Sequence, residues 1–474
     1  MPQDYRLKSQ VSIMNKQNVV AILDVGKTNK KVLLFNEDYH VVHEETCQLE
    51  EGKDEDGFPC ENIDSLKQWA LHALQPDKLG NEFTIRALNF SGYGASLVFL
   101  NQEGETIGPL YNYLKPYPSQ LQEQFYSTYG GRETLSRITA SPVLGSLNSG
   151  LQLYRIKYQK PEMFNKIRYG LHLPQFLSYL FTRFPCSDIT SLGCHTQCWD
   201  YEKNQYHDWV NKEGIREKLA PIVPSNHVVS SPVNGVDIPV GIGLHDSSAA
   251  LIPYLIESDP PFLLISTGTW CISLNPFNNS PLTTEELQSD CLTYMTYQGT
   301  PVKASRYHAG PFHETQIKKI SSYFNLSVED LECMNFDQTV VDSLHTRYPS
   351  LFTGKSLDPG PEPGIIQEID TSRFESAHEA YHFLLWEIAR GQFHSTRLVL
   401  GYSGVNRIYV DGGFGKNDLY MKMLAKLFAN MEVYRASVAQ ASALGAAIVI
   451  HSAWNQKSLP RTFIMKQLVS SSSK

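Results

Sequence analysis

One aspartate in the sequence follows a strand-like segment at the point where a base could act on a substrate hydroxyl. Asp246 comes after a predicted strand over residues 236–240 and a glycine-containing turn, and it opens a predicted helix of small residues. A carboxylate at such a junction can accept a proton from a bound hydroxyl group. The alternative is a helix N-cap, in which Asp246 accepts a hydrogen bond from the backbone N–H of Ala249.

A second aspartate, Asp24, ends a predicted strand over residues 19–23 and precedes a turn that contains Gly26. Gly26 lets the backbone approach an anion closely, and Thr28 and Asn29 supply a hydroxyl and an amide donor. Asp24 could hold Mg²⁺ through water, since Mg²⁺ prefers oxygen ligands and keeps several waters. The segment therefore predicts a phosphate-binding turn, in which Lys27 offsets phosphate charge.

The same segment partly matches a P-loop, with Ala21 in place of the first glycine. A P-loop continues directly into a helix, whereas residues 31–35 are apolar and predict a second strand. We therefore expect a β-hairpin. Its turn either binds phosphate or simply exposes Lys27 and Lys31 to solvent.

The same pattern returns in the second half of the chain. Predicted strands over residues 262–265 and 271–274 flank the turn Ser266-Thr267-Gly268-Thr269. Gly268 and Thr269 again combine close backbone approach with a hydroxyl donor. Two strand–turn–strand units, each opening one half of the chain, indicate an internal repeat. They predict two related domains with a cleft between them.

A third glycine cluster, Asp411-Gly412-Gly413-Phe414-Gly415, lies between a predicted strand over residues 408–410 and a predicted helix over 418–431. Gly412 and Gly413 would let the backbone approach a flat base or a ribose, and Asn417 is a candidate N-cap of the helix. The alternative is a flexible strand–helix turn without a ligand.

These segments divide the chain into four predicted parts. An N-terminal arm covers residues 1–17, a first domain 18–253, a second domain 254–455 and a C-terminal tail 456–474. Residues 354–364, rich in proline and glycine, predict a surface loop. Helical spacing predicts a long helix over residues 376–400, and small residues predict another over 439–454.

Composition excludes several classes of protein. Hydrophobic residues make up 42% and charged residues 19%, as in ordinary globular proteins. The net charge of −8 gives no electrostatic signature of a nucleic-acid binder. The eight cysteines are too sparse for a disulfide scaffold, and Cys194, His195 and Cys198 do not complete a zinc-ligand set. We expect reduced thiols, a cytoplasmic location and no signal peptide or membrane span.

The four segments, in this order, resemble the FGGY carbohydrate kinases of the sugar kinase/actin/Hsp70 superfamily over residues 18–455. The resemblance implies an α/β fold of two actin-like (ribonuclease H-like) domains with a central interdomain cleft. It also implies ATP and Mg²⁺ as cofactors, with Asp246 as the catalytic base and Asp24 in the outer shell of the metal ion. The implied nucleotide contacts are the first phosphate loop (Gly26, Lys27, Thr28, Asn29), the second phosphate loop (Gly268, Thr269) and the adenosine site (Gly412, Gly413, Asn417).

Within the family, Gly268-Thr269-Trp270 together with His245-Asp246 is most similar to the rhamnulose and fuculose kinase branch. The alternative for Trp270 is a core aromatic residue. The resemblance implies sugar contacts from Tyr93, Ser96, His245 and Asp246. The sequence departs from the family pattern at Lys27, at Tyr113-Leu114-Lys115-Pro116-Tyr117 and at Gln440.

The expected reaction is transfer of the γ-phosphoryl group of ATP to a primary hydroxyl of a small ketose. The expected acceptor is a deoxyketohexose such as L-rhamnulose or L-fuculose. Three alternatives stay open: a kinase for a ketopentose or polyol, a sugar-independent actin-like ATPase, and a non-catalytic sugar-sensing module. The expected partners are a small sugar and ATP, with no nucleic acid and no membrane, and a homodimer is a candidate assembly.

Overall fold

Two seven-stranded mixed sheets organise the computed structural model, which describes residues 16–80, 82–257, 260–347 and 368–469. The strands are β1 (Gln17–Val25), β2 (Lys30–Asn36), β3 (Val41–Cys47), β4 (Gly52–Lys53), β5 (Pro59–Cys60), β6 (Phe83–Gly92), β7 (Leu97–Leu100), β8 (Tyr169–His172), β9 (Trp199–Asp200), β10 (Gln205–Tyr206), β11 (Val228–Val233), β12 (Val236–Gly241), β13 (Leu244–His245), β14 (Phe262–Thr267), β15 (Cys271–Asn275), β16 (Cys291–Met295), β17 (Pro301–Tyr307), β18 (Arg407–Gly412), β19 (Glu432–Ser437) and β20 (Met465–Leu468).

Helices cover the faces of both sheets and form an insertion in the first lobe. They are α1 (Ile63–His72), α2 (Pro76–Leu79), α3 (Ser119–Thr128), α4 (Arg132–Ile138), α5 (Ser149–Gln159), α6 (Pro161–Lys166), α7 (Leu173–Thr182), α8 (Ile189–Leu192), α9 (Asp208–Lys212), α10 (Asp246–Glu257), α11 (Thr284–Gln288), α12 (Gly310–Phe324), α13 (Val328–Glu332), α14 (Gln338–Arg347), α15 (Ala377–Leu400), α16 (Asp418–Leu427) and α17 (Ala441–Val449).

The two sheets repeat one topology. In the first, β1, β2 and β3 form an antiparallel meander, β6 runs parallel to β1, and β12 runs parallel to β6. In the second, β14, β15 and β17 form the meander, β18 runs parallel to β14, and β19 runs parallel to β18. The two predicted hairpins therefore open equivalent sheets, which confirms the predicted repeat. A strand follows the first turn, so the P-loop alternative is excluded.

The opening strands lie in the middle of their sheets, and their sequences reflect this position. Residues 19–23 of β1 and residues 262–265 of β14 are fully or almost fully buried. A strand with neighbours on both sides and packed layers above and below must be apolar along its whole length, because neither face meets water. The polar residues accumulate where each strand ends, at the same edge of the sheet.

A helical insertion with its own core extends the first lobe. The ring of Phe125 on α3 packs against Tyr154 on α5 at 4.9 Å and against Trp209 on α9 at 5.0 Å. The insertion also contacts the second lobe. The Thr293 N–H of β16 donates to Ala140 O at 3.0 Å, and the Tyr201 hydroxyl donates to Thr293 O at 2.9 Å.

Two helices join the lobes. A Cβ atom at Gly445 on α17 would lie only 1.9 Å from the carbonyl oxygen of Ala249 on α10, so the backbones approach as closely as glycine permits. Buried Asn89 on β6 donates to Ala446 O at 2.7 Å and accepts from Gly243 N at 3.0 Å. The first sheet, α10 and α17 thus form one continuous joint.

Most predicted elements are confirmed, and their ends differ. Helix α15 begins after its N-cap Ser376 and ends at Leu400, as predicted. Helix α16 stops at Leu427, and α17 stops at Val449, before a 3₁₀ turn at His451–Ala453. The residues of β20 belong to the predicted tail 456–474, but they pair with β19 and complete the second sheet.

Part of the predicted organisation lies outside the described residues. This applies to residues 1–15 of the predicted arm, the predicted loop 354–364 and the last five residues of the predicted tail. Within the described residues, every helix is too short or too polar to cross a bilayer.

Candidate functional site

Three neighbouring strands bring the two predicted carboxylates to one edge of the first sheet. Strand β6 lies between β1 and β13, with Asp24 aligned to Ser91 and Ser91 aligned to Leu244. Adjacent strands are about 4.8 Å apart, so Asp24 and Leu244 are about 10 Å apart at Cα. Asp246 follows two residues later as the first residue of α10. The fold therefore brings Asp24 and Asp246 together.

The local hydrogen bonds of Asp246 differ from the N-cap alternative. Its Oδ1 accepts from the backbone N–H of Ser247 at 2.6 Å and from the Ser247 hydroxyl at 3.2 Å. The capping bond from Ala249 is not among its contacts. Among the described residues no lysine or arginine forms an ion pair with Asp246, and about a third of its side chain is exposed. The carboxylate is therefore accessible to a bound hydroxyl group.

Both carboxylates have raised pKa values. Burial, with a further contribution from the negative charge of Asp246, raises the pKa of Asp24 to about 7. Burial also raises the pKa of Asp246 to about 6, against the opposing effect of the Ser247 hydrogen bonds. The charge of Asp246 disfavours ionisation of Asp24, and a divalent cation held by Asp24 through water would offset this repulsion. The donor chemistry of Asp24 thus fits Mg²⁺.

The described residues contain no cluster of three or more histidine, cysteine or acidic side chains arranged to hold a metal ion by themselves. A Mg²⁺ ion beside Asp24 would therefore take most of its ligands from water and substrate, as this ion usually does.

A neutral histidine lies next to Asp246. The Nε2 atom of His245 lies 3.2 Å from Asp246 Oδ1 and 3.2 Å from Cys194 Sγ, and its ring stacks on Tyr294 with centroids 5.7 Å apart. Burial lowers the pKa of His245 to about 4, so the imidazole is uncharged at neutral pH. Gly94 makes room for this arrangement, because a Cβ there would lie 2.8 Å from Cys194 Sγ.

Two tyrosines border the carboxylates on the side of the first lobe. Tyr93 follows β6, and its ring meets that of Tyr113 edge-on, with centroids 5.9 Å apart. Burial and, to a smaller extent, the charge of Asp246 raise the pKa of the Tyr113 hydroxyl, so this ring is close to the carboxylate. The Ser96 hydroxyl, also a predicted sugar contact, is buried without a hydrogen-bond partner among the described residues.

The first predicted phosphate loop is a tight turn whose lysines already have partners. The Gly26 N–H donates to Asn29 O at 2.9 Å and closes the turn. Lys27 pairs with Glu51 at 2.9 Å, while Thr28 and Asn29 are exposed. The neighbouring Lys31 donates to Glu44 at 3.2 Å and to Gln440 of the second lobe at 3.0 Å. Gln440, where the sequence departs from the family pattern, therefore lies at the junction between the lobes.

The second loop and the glycine cluster adjoin each other. The Gly413 N–H donates to Thr267 O at 3.0 Å, and a Cβ at Gly412 would lie 1.9 Å from the same oxygen. Gly268 and Thr269 are exposed beside them. Tyr254, on the helix that Asp246 opens, donates to Asp411 Oδ2 at 2.8 Å. The fold thus groups the predicted phosphate and adenosine residues of the second lobe and ties them to α10.

Asn417 and Trp270 have clear local roles. Asn417 caps α16 by accepting from the Tyr420 N–H at 3.0 Å, and its amide donates to the Tyr381 hydroxyl at 3.0 Å. Trp270 is 40% exposed and stacks on His308 with centroids 4.3 Å apart. The core-aromatic interpretation of Trp270 is therefore wrong.

Sequence reasoning missed several residues at this site. Gly310 was not singled out, yet its N–H donates to Thr269 O at 3.2 Å and a Cβ there would lie 2.6 Å from Gly268 O. The Gly310-Pro311 pair at a helix start was the available signal. The buried pair of Lys30 and Glu61 was also missed, because nothing in the sequence links two charges 31 residues apart.

Comparisons with known proteins agree with this geometry. The pattern of the FGGY family of carbohydrate kinases, N-terminal domain, matches residues 19–253, and that of carbohydrate kinase FGGY, C-terminal domain, matches residues 259–458. The chain is 22% identical over 276 residues to L-fuculokinase of Escherichia coli K12, covering 54% of this chain and 56% of the relative. It is 22% identical over 268 residues to rhamnulokinase of Mannheimia succiniciproducens, covering 53% and 52%. The chain thus spans about half the length of the curated relatives it matches.

Solved structures share the fold over almost the whole chain. A carbohydrate kinase from Novosphingobium aromaticivorans superposes with a TM-score of 0.74 at 22% identity, covering 96% of this chain and 95% of the other. A xylulose kinase from Rhodospirillum rubrum superposes with a TM-score of 0.74 at 14% identity, covering 95% and 94%. The predicted two-domain α/β fold is confirmed. With both of its lobes matched in order, the chain belongs to the FGGY family of carbohydrate kinases.

Proposed function

We propose that this protein transfers the γ-phosphoryl group of ATP to a primary hydroxyl of a small ketose, with a deoxyketohexose such as L-rhamnulose or L-fuculose as the leading acceptor. The observation that carries the proposal is the accessible carboxylate of Asp246, which has no lysine or arginine partner among the described residues and lies beside Asp24, at the edge of a sheet whose partner lobe offers glycine-rich turns. Membership of the FGGY family supports the reaction class, and the two curated relatives support the acceptor class.

In the proposed reaction Asp246 accepts the proton of the acceptor hydroxyl as its oxygen attacks the γ-phosphorus. A pKa of about 6 leaves this carboxylate largely ionised at neutral pH, yet basic enough to take the proton. Neutral His245, whose Nε2 lies 3.2 Å from Asp246 Oδ1, leaves the carboxylate charged. Positioning and charge neutralisation supply most of the rate, because the transition state for phosphoryl transfer is loose and highly charged.

The proposed phosphate contacts come from both lobes. The backbone of Gly26 and the exposed Thr28 would contact phosphate from the first lobe, and Gly268 and Thr269 would do so from the second. Asp24 would hold Mg²⁺ through water, and the ion would offset the charge of the phosphates. Lys27 is paired with Glu51 and would add only a small contribution.

The proposed sites for adenosine and sugar follow the same division. Gly412 and Gly413 would border the adenosine, with Asn417 holding the start of α16 next to it. Tyr93 would contact the apolar face of the sugar, and so would Tyr113, whose hydroxyl pKa is raised in part by the charge of Asp246. The two rings meet edge-on.

Release of ADP from Mg·ATP across a panel of sugars tests the proposal. L-rhamnulose, L-fuculose, L- and D-xylulose, L-ribulose and glycerol come first, each with the native protein and Asp246→Asn. We expect one ketose to raise ADP release at least about 100-fold, and Asp246→Asn to remove about 10³-fold of that rate. Asp208→Asn, the same change at the exposed first residue of α9, is the matched control and should retain full activity.

The alternatives give different outcomes. A ketopentose or glycerol as the best acceptor would keep the kinase reaction and replace the acceptor class. A rate of ADP release that is the same with every sugar would favour the sugar-independent ATPase. Full activity of Asp246→Asn would refute the assignment of the base.

A further inference from the structure

A buried ion pair lies directly beneath the first phosphate loop. Lys30 Nζ is 2.9 Å from Glu61 Oε1 and 3.1 Å from Glu61 Oε2, and the two side chains are only 2% and 3% exposed. Removing two charges from water is costly unless each is fully hydrogen-bonded. A pair retained at this depth therefore indicates a specific positional role.

The pair connects the loop to the acceptor side of the cleft. Lys30 Nζ also donates to the backbone carbonyl of Lys27, inside the loop, at 3.2 Å. The Tyr93 hydroxyl donates to Glu61 Oε2 at 3.2 Å. One continuous hydrogen-bonded path thus runs from the Lys27 carbonyl through Lys30 and Glu61 to Tyr93.

Tyr93 is attached to the loop at a second point. Its backbone N–H donates to Val25 O, at the entry to the turn, at 3.1 Å. The main chain of Tyr93 therefore holds the start of Gly26–Asn29, and its hydroxyl, through the buried pair, holds the middle. The Tyr93 ring is itself nearly buried and packs against Tyr113, which lies beside Asp246.

We propose that Lys30, Glu61 and Tyr93 form a positioning network. This network fixes the first phosphate loop relative to the rings of Tyr93 and Tyr113, on the acceptor side of the cleft. The network aligns the acceptor hydroxyl with the γ-phosphate, and in this respect it rests on the proposed kinase function. Lys30 and Glu61 contact neither substrate and act through the Lys27 carbonyl and the Tyr93 hydroxyl.

Hydrogen exchange tests the structural half of the proposal without any acceptor. Tyr93→Phe removes only the hydroxyl, and the double variant Lys30→Met/Glu61→Gln removes both charges while keeping similar volumes. We expect the backbone amides of Gly26–Asn29 to exchange about tenfold faster in both variants, because the loop loses one of its two attachments. Lys303→Met/Glu286→Gln removes a comparable pair from the second lobe and is the control. It should leave exchange in the loop unchanged.

Steady-state kinetics tests the functional half. Tyr93→Phe should raise the acceptor KM about tenfold, with the KM for Mg·ATP within about twofold. The fraction of ATP consumed without sugar phosphate formation should also rise. Combining Tyr93→Phe with Lys30→Met/Glu61→Gln should add little further effect, because the three side chains act through one path. A merely destabilising change would reduce the active fraction and leave both KM values unaltered.

Each outcome decides one question. Loop exchange that is unchanged in Tyr93→Phe overturns the network, as do kinetic effects that add independently. A native protein with no acceptor-dependent turnover refutes the proposed kinase function, while the exchange data still decide whether the network holds the loop.

Discussion

The two lobes contain the same hairpin, and a backbone hydrogen bond closes each turn, but charged side chains hold the first turn in addition. In the first, Lys27 pairs with Glu51 and Lys30 donates to the Lys27 carbonyl. In the second, the Gly268 N–H donates to Trp270 O at 3.0 Å, and main-chain N–H groups from elsewhere in the second lobe satisfy the neighbouring carbonyls.

This difference indicates that the two lobes depend on different interactions in the cleft. The first lobe has the carboxylates with raised pKa values, so its chemistry depends on charge. The second lobe presents glycines and amides, so its fit to a ligand depends on the space around the backbone. Changes of charge should therefore damage the first lobe, and added carbon atoms should damage the second.

The largest effect is expected from an added methyl group in the second lobe. Gly412→Ala places a Cβ 1.9 Å from Thr267 O at a backbone φ of +93°, so the turn must move. We expect a loss of about 3 kcal/mol in the free energy of unfolding and a nucleotide Kd raised at least about tenfold. Urea unfolding and nucleotide titration measure both. Gly413→Ala, where no protein atom lies within 4 Å, should leave the free energy of unfolding unchanged, and an equal loss of stability in the two variants would contradict the comparison.

The next effect belongs to the first lobe and follows pH. Because Asp246 must be ionised to act as a base, kcat/KM for the acceptor should fall about tenfold per pH unit on the acid side. The coupled pair of carboxylates has pKa values of about 6 and about 7, which set the range of the fall. Affinity for ADP in the absence of metal should stay nearly constant there, because the proposed contacts of the second lobe with the nucleotide are made by its backbone. A flat acceptor profile from pH 5 to 8 would contradict this.

The same carboxylates determine whether the stability of the fold rises or falls with pH. Their folded pKa values lie above the ordinary aspartate value of 3.8, so the folded state binds more protons than the unfolded chain between pH 4 and 7. Their contribution to stability therefore falls as pH rises through this range. Asp24→Asn should reduce the pH dependence of the melting temperature.

A smaller effect is expected at the exposed tryptophan of the second turn. Trp270 contributes its carbonyl to the turn, and its 40% exposed ring stacks on His308. Trp270→Ala should reduce the free energy of unfolding by about 1 kcal/mol or less. Trp209→Ala, at a buried position in the insertion, should reduce it by about 3–5 kcal/mol. Denaturant midpoints compare the two, and a similar cost for both would show that Trp270 supports the second turn through its ring.

The smallest effect concerns the lysine of the first turn. Lys27 forms a largely exposed pair with Glu51, and such pairs contribute about 0–1 kcal/mol. Lys27→Met should change the KM for Mg·ATP by less than about threefold. A tenfold rise would mean that Lys27 leaves Glu51 to contact phosphate, and the first turn would then hold its ligand through a side chain.

The sequence predicted the repeated hairpins, the strand carrying Asp24 and the helix opened by Asp246, because apolar runs and glycines mark them locally. It left the environment of Trp270 open, since the type of a side chain does not reveal whether a neighbouring strand covers it. The strand β20 inside the predicted C-terminal tail was also missed, because all four of its residues are exposed and show no buried face. Its pairing depends on β19 and not on its own residues.

The contacts that define the acceptor side were beyond prediction for a related reason. The Lys30–Glu61 pair, the Tyr93–Tyr113 contact and the Cys194–His245 contact join residues that are distant in the chain. The residue type at each position can be read from the sequence, but the distances between these side chains depend on how the helical insertion folds against the first sheet. The roles assigned to individual site residues stay predictions.

The joint between the lobes has a consequence for synthesis of the chain. The turn between β2 and β3 packs against the C-terminal segment: the Tyr39 hydroxyl is 2.7 Å from His451 Nδ1, and its ring meets Trp454 and Phe463 edge-on. Val20 and Ile22 lie in the same cluster as Ala443 and Ile448. On the ribosome, one face of the first lobe therefore stays uncovered until residues 441–464 have emerged, and nascent chains are open to aggregation or chaperone capture throughout that interval.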